Sequence, residues 1–334
     1  MYHPSLLLPR RVFMVAIGTT LGLGAANIVG GHSLPSAMAS SADSKLGAVR
    51  IGYQKSGTVQ ISLKKKQILE KLFGARGGSV EWLEFTAGLP MVEALNAGAI
   101  DIGYVGEAPP IFAQAANGSS SRYVAYDPYG PGAEGILVDR NSPIRSIADL
   151  KGKKIGVQKG SNAHYLTIKA LQSVKLKPSD ATIIFLKPAD GRAAFERRDI
   201  DAWVVWDPFL AAGEINAKAR LLSNAKGLAP NLGYYLSREA FIRNQPAALR
   251  LVLTELRKEA AVVSRDPRAT AAFLAPQLGL AEEVLLRAET RRKHGVLPIT
   301  SAVIDRQQDV ADTFRELQLI PKSIKVKEAV WRWN

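Results

Sequence analysis

The 334-residue chain has no cysteine. This excludes disulfides, thiolate nucleophiles, cysteine-held metal centres and a lipid-modified amino-terminal cysteine. Histidine is scarce: the four present do not cluster, so neither a metal nor another cofactor is expected. An unbroken apolar run is also lacking. The most apolar stretch, Val12 to Ala26, is interrupted by Gly18, Thr19, Thr20, Gly22 and Gly24, whereas a membrane-spanning helix needs roughly 20 predominantly apolar residues. Acidic residues are outnumbered 30 to 44, giving a formal net charge of +14. The lysines and arginines are scattered, however, and no aromatic-basic RNA motif or DNA-reading module accompanies them. The surplus therefore points away from nucleic acid and towards a soluble protein that mildly attracts anionic solutes.

The chain opens with a targeting segment. Arg10 and Arg11 precede the interrupted apolar stretch, and Ala37-Met38-Ala39 supplies the small-x-small pattern that a signal peptidase accepts. Residues 1–39 are read as a signal peptide, cleaved after Ala39, and the mature protein as periplasmic. Arg10-Arg11-Val12-Phe13-Met14 is similar to a twin-arginine signal. Because Pro9 replaces the usual hydroxyl residue and no basic residue follows, the Sec route is favoured.

The rest exceeds what one compact core usually holds, so two lobes are expected. Short apolar runs alternate with helix-length segments, as in doubly wound α/β sheets. Strands are predicted at Val49 to Tyr53, Val80 to Phe85 and Ile100 to Val105, then at Ile155 to Gln158, Thr182 to Phe185 and Ala202 to Trp206. Helices are predicted at Val59 to Leu72, Pro90 to Ala97, Asn162 to Val174 and Gly191 to Arg197. The Gly- and Pro-rich stretch Tyr126 to Gly135 reads as a crossover, and Gly233 to Leu236 as the return. Only helices are expected after that, packed on the first lobe. Lobe I is assigned to 40–134 and 237–334, and lobe II to 135–236. Two crossings make a hinge, and a hinge makes a closing cleft. No internal repeat of fixed period stands out.

Open α/β sheets bind ligands beyond the carboxyl ends of their strands, which selects four loops. They hold Gln54 and Lys55; Gly106, Glu107 and Ala108; Gly160, Ser161, Asn162 and Ala163; and Trp206 and Asp207. In the third loop a Lys-Gly-Ser-Asn turn leads from a strand into a helix whose first N–H groups face outward, a suitable seat for an anion. Arg192 reads as the opening residue of a helix, where a cation is unfavourable unless an anion compensates it, so it is assigned as the ligand's counter-charge. Trp206 and Trp203 lie on opposite strand faces, which makes Trp206 the stacking surface and Trp203 core. A carboxylate at Glu107 would repel a bound anion, so it is expected to pair with Arg192 or Lys55, or to accept from a polar tail. His164, in the first turn of a helix, reads as a packing residue.

Arg50-Ile51-Gly52-Tyr53-Gln54-Lys55, Gly106-Glu107-Ala108-Pro109-Pro110, Lys154 to Leu166, Asp190-Gly191-Arg192 and Ala202 to Phe209, in this order, resemble the aliphatic sulfonate-binding proteins of bacterial ABC importers. The resemblance covers nearly everything after the targeting segment. It implies a two-lobed periplasmic-binding-protein-like fold of type II, each lobe a sheet flanked by helices, and a monomer that delivers an alkanesulfonate to a membrane permease for sulfur acquisition. Taurine, nitrate or a thiamine-pyrimidine precursor is the alternative ligand. An enzyme on this scaffold, such as an aromatic sulfinate desulfinase, needs a cysteine nucleophile that the chain lacks.

Overall fold

The computed structural model describes residues 45–332. The segment read as a signal peptide and the first residues assigned to lobe I lie outside that range. Lobe I begins with β1 (Ala48–Tyr53), α1 (Thr58–Lys66), α2 (Ile68–Gly74), β2 (Ser79–Glu84), α3 (Gly88–Asn96), β3 (Ile102–Gly106), α4 (Ala108–Ala115) and β4 (Ser121–Asp127). Lobe II comprises β5 (Glu134–Val138), β6 (Lys154–Val157), α5 (Asn162–Ser173), β7 (Thr182–Phe185), α6 (Pro188–Glu196), β8 (Ala202–Trp206), α7 (Phe209–Ile215) and β9 (Arg220–Asn224). The chain returns through β10 (Gly233–Arg238) and continues as α8 (Glu239–Asn244), α9 (Pro246–Arg265), α10 (Pro267–Leu278), α11 (Glu282–Arg291) and α12 (Ser301–Glu316).

Each lobe holds one five-stranded sheet, ordered β2-β1-β3-β10-β4 in lobe I and β7-β6-β8-β5-β9 in lobe II. In both, three parallel strands meet one antiparallel strand, β10 or β5, that has just arrived from the other lobe. The two crossings are therefore 128–133 and 225–232. Apart from the outer strands, the sheets are covered on both faces, so β8 reads Ala-Trp-Val-Val-Trp and is buried throughout.

An aspartate at the head of the third parallel strand ties each sheet together. Asp101 accepts from the backbone N–H of Arg50 at 2.8 Å and from the guanidinium groups of Arg50 and Arg238. Together these hold its carboxyl below the usual range, against burial, which acts the other way. Asp201 accepts from Lys154 N–H at 2.8 Å in the same position of lobe II.

Three features depart from the sequence reading. The predicted helix from Val59 to Leu72 is two helices, because Gln67 adopts the left-handed conformation at φ 53° and ends α1. β10 is hydrogen-bonded within the lobe I sheet from Gly233 onward, so the return to lobe I precedes the assigned boundary at 236/237. The last helices straddle the cleft instead of staying on lobe I. Amphipathic α9 does pack there, burying Leu249, Val252, Leu253 and Leu256 with Val49 and Leu63. In contrast, α11 packs Val284 and Ala288 on Ala211 and Ala212 of α7 and pairs Arg291 with Glu214. Phe314 of α12 lies against Phe112 of α4 and Tyr165 of α5.

Candidate functional site

Strands β1, β3 and β8 end at the cleft, where a cavity of about 40 Å3 opens. Its wall takes Gln54, Ser56, Gly88, Tyr104, Gly106 and Pro109 from lobe I, Ser161, Asn162 and Trp206 from lobe II, and Tyr129, Asn231 and Leu232 from the crossings. Since a single water needs roughly 10–15 Å3 by this measure, the cavity in this conformation has room for a few waters and not for an organic anion.

Five helices start at this wall. Ser56 precedes α1, Gly88 opens α3, Gly106 precedes α4, Ser161 caps α5 and Trp206 precedes α7. A helix start carries roughly half a positive charge, but Ser161 caps α5, Asp207 caps α7 and the Ala108 N–H of α4 is taken by Asn162, which leaves α1 and α3 without a side-chain cap. With Trp206, Tyr104 and Tyr129 as aromatic walls, the arrangement combines a diffuse positive potential with an apolar lining.

The lobes touch through Asn162. Its Oδ1 accepts from the Ala108 N–H at 3.2 Å, while its Nδ2 donates to Asn231 Oδ1 at 2.9 Å. Gly106 permits this approach, because a Cβ there would lie 2.1 Å from Asn162 Oδ1. Gly160, at φ 67°, sits against Leu89 and Phe112 of lobe I, which a Cβ would meet at 3.2 and 3.3 Å.

Of the residues selected from the sequence, Gln54, Gly106, Ser161, Asn162 and Trp206 converge on the cavity. Ala108, Gly160 and Ala163 lie immediately behind, contributing backbone and close packing. Trp203 is core, packed on Phe195 and against Gly191.

Arg192 is not brought there. α6 starts at Pro188, so Arg192 stands a full turn inside it, is 37% exposed, and pairs with Glu196 at 2.7 Å. Lys55 is exposed, over a groove shared with Lys64, Lys65 and Glu84. Asp207 is fully buried and structural: its Oδ1 accepts from Ala211 N–H at 2.9 Å, and Arg291 lies 3.8 Å from Oδ2. Burial pushes its carboxyl up to about 6, with Arg292 and Arg291 pulling the other way.

Glu107 pairs with neither Arg192 nor Lys55. It is completely buried, and its Oε2 accepts from Leu232 N–H at 2.9 Å. Burial raises this carboxyl to about 7. Glu134, also buried, is raised well above the usual range by burial and by Glu107. His164 packs as expected, edge-on to Phe185 and stacked on Phe314, and burial lowers it to about 4.

The sequence reading missed Ser56, Gly88 and Tyr104 of lobe I, and Tyr129, Asn231 and Leu232. The last three lie on the two crossings, and segments joining two lobes must pass the base of the cleft, so their position was the available signal.

The family profile described as the substrate-binding domain of an ABC-type glycine betaine transport system matches residues 47–264. An aliphatic sulfonates-binding protein of Escherichia coli is 38% identical over 298 residues, covering 89% of this chain and 92% of that protein. The chain belongs to this family of sulfonate-binding proteins. A Bacillus subtilis relative of the same description is 34% identical, over 96% of this chain and 93% of its own. Among solved structures, the alkanesulfonate-binding protein of Xanthomonas axonopodis pv. citri, bound to MOPS, superposes with a TM-score of 0.82. It is 38% identical and matches over 87% of this chain and 100% of its own. The two-lobed type II fold is thus shared, and the family consists of solute receptors for ABC importers, not enzymes.

Proposed function

We propose that this chain captures an aliphatic sulfonate between its lobes in the periplasm and delivers it, as a monomer, to the permease of an ABC importer. The observation that carries this reading is a cavity between the lobes that combines the uncapped starts of α1 and α3 with walls of Trp206, Tyr104 and Tyr129. A sulfonate is a permanent anion with three acceptor oxygens and an organic tail. It needs donors and positive potential at one end and an apolar wall at the other.

Gln54, Gly106, Ser161, Asn162 and Trp206 are the contact residues of this reading. The contacts of Asn162 with Ala108 and Asn231 are the ones that opening breaks and closure remakes. Ligand then favours the closed state by its extra contacts, and the closed lobe edges are what a permease distinguishes.

Calorimetry with butanesulfonate, taurine, nitrate and sulfate tests the assignment. Butanesulfonate is expected to bind and to raise the melting temperature by mass action, with sulfate binding weakly because it leaves the aromatic wall uncovered. Sulfate binding as tightly as butanesulfonate would overturn the reading.

A further inference from the structure

The helix starts that border the cavity from the two lobes at Ser56 and Ser161, those of α1 and α5, are not equivalent. α5 is capped within the protein: Ser161 Oγ accepts from His164 N–H at 3.2 Å and donates to the Gln158 carbonyl at 2.7 Å. The nine-residue α1 begins after Gly57, with no side-chain cap and no acidic residue in its first turn. Its leading N–H groups lie beside Ser56, on the cavity wall.

A second observation falls immediately behind this start of α1. Arg292, at the end of α11, is buried with its side chain 1% exposed. Its Nη1 donates to the Ser56 carbonyl at 3.2 Å, to Thr58 Oγ1 at 2.9 Å and to Glu289 Oε1 at 3.1 Å. The guanidinium lies over the Tyr129 ring at 5.1 Å. Nη1 thus carries all the polar partners, while the buried Nε and Nη2 have no acceptor. Buried guanidinium donors are rarely left so, because each unmade hydrogen bond is costly. Glu289 is already engaged by the Thr58 hydroxyl at 2.8 Å and by His294 at 2.7 Å.

We infer that the anionic head of the ligand seats in lobe I, on the uncapped start of α1, with Arg292 supplying the opposite charge through Nε and Nη2. This rests on the sulfonate reading and specifies it. The head docks on lobe I first, and lobe II closes Trp206 over the tail. Arg292, brought from more than 200 residues away by α11, takes the role that the sequence pattern suggests for Arg192.

The test is calorimetry on the intact protein with butanesulfonate and its neutral isostere butanesulfonamide. Arg292→Gln is expected to weaken sulfonate binding roughly 10- to 150-fold, the range for a charge-assisted hydrogen bond, and to collapse the preference for sulfonate over sulfonamide. Arg292→Lys should restore part of that preference. A purely structural role would lower both affinities together, and that result overturns the inference.

Should Arg292→Gln fail to fold, Gly57→Asp gives an independent arm. It places a carboxylate cap on α1, its Cβ meeting the Gln60 Oε1 end at 2.9 Å and the Gln54 carbonyl at 3.1 Å. Sulfonate binding should then fall more than roughly 100-fold while the melt is kept, as expected when a cap occupies the seat and repels the anion. Wild-type affinity in a folded variant of either kind overturns the placement alone. Absence of any sulfonate binding by the wild type overturns the functional reading with it.

Discussion

The two sheets run through the same order of strands, each with one antiparallel strand by which the chain enters from the other lobe, and each is pinned by an aspartate after an isoleucine, Asp101 or Asp201. They differ where the third parallel strand meets the cleft. Lobe I ends in Gly106-Glu107 and lobe II in Trp206-Asp207. Lobe I therefore presents bare backbone there and lobe II an indole, and beyond the first strands β1 and β6 the start of α1 is uncapped whereas that of α5 is capped by Ser161. One framework, built twice, has been divided into a polar seat and an apolar cover. The strand ends carry the chemistry, and the sheets hold them in place.

The contrast breaks most completely at Gly106. Gly106→Ala should weaken ligand binding about 10- to 100-fold, since overpacking against the fixed Asn162 costs roughly 1–3 kcal/mol. The ligand-free melt should stay nearly unchanged, and small-angle scattering should show the lobes failing to close. Wild-type affinity would mean that the Asn162 contact is dispensable for closure.

A smaller effect is expected at the carboxyl group behind the lobe I strand end. Glu107 has its pKa raised from 4.5 to about 7 in the folded chain, by burial. The unfolded state therefore ionises first as pH rises, so this group's stabilising contribution is complete below about 4.5 and lost by about 7. His164, lowered to about 4, acts oppositely, costing stability as pH falls from 6.5. Glu107→Gln should remove the first contribution alone, so its melting temperature gains on the wild type by a few degrees between these limits. Parallel melting curves across the window would exclude the buried-carboxyl account.

The smallest effect is expected at Arg192. Its pair with Glu196 is an exposed i,i+4 contact, worth about 0.3–0.5 kcal/mol, and Arg192→Ala should leave binding unchanged. A large loss of affinity would restore it to the cleft and contradict the division of labour between the lobes.

Much of this was legible because strand cores announce themselves. Thr182–Phe185 and Ala202–Trp206 were predicted to the residue, and the opposite faces of Trp203 and Trp206 followed from the two-residue period alone. Strand ends in turn located Gln54, Gly106 and Ser161. The outer strands β4 and β9 were missed: Ser121–Asp127 and Arg220–Asn224 mix polar and apolar residues without regular alternation. Arg192 misled because Pro188 starts α6 earlier than the Gly-Arg pair suggested. Arg292 gave no local signal, since its neighbours Ser56, Thr58 and Tyr129 come from distant segments. The likeness of the two sheets shows in their strand order and a pair of Ile-Asp steps, not in a repeat of fixed period.

The exchange of antiparallel strands also sets an order of assembly. All five strands of the lobe II sheet lie between Glu134 and Asn224, in one continuous stretch. The lobe I sheet has β10 inserted between β3 and β4, so it stays divided until a segment more than a hundred residues downstream of β4 arrives. Closing that long loop is entropically slow compared with the local pairings of lobe II. The half that offers the indole can thus be finished early, and the half that offers the polar seat is the last to become whole.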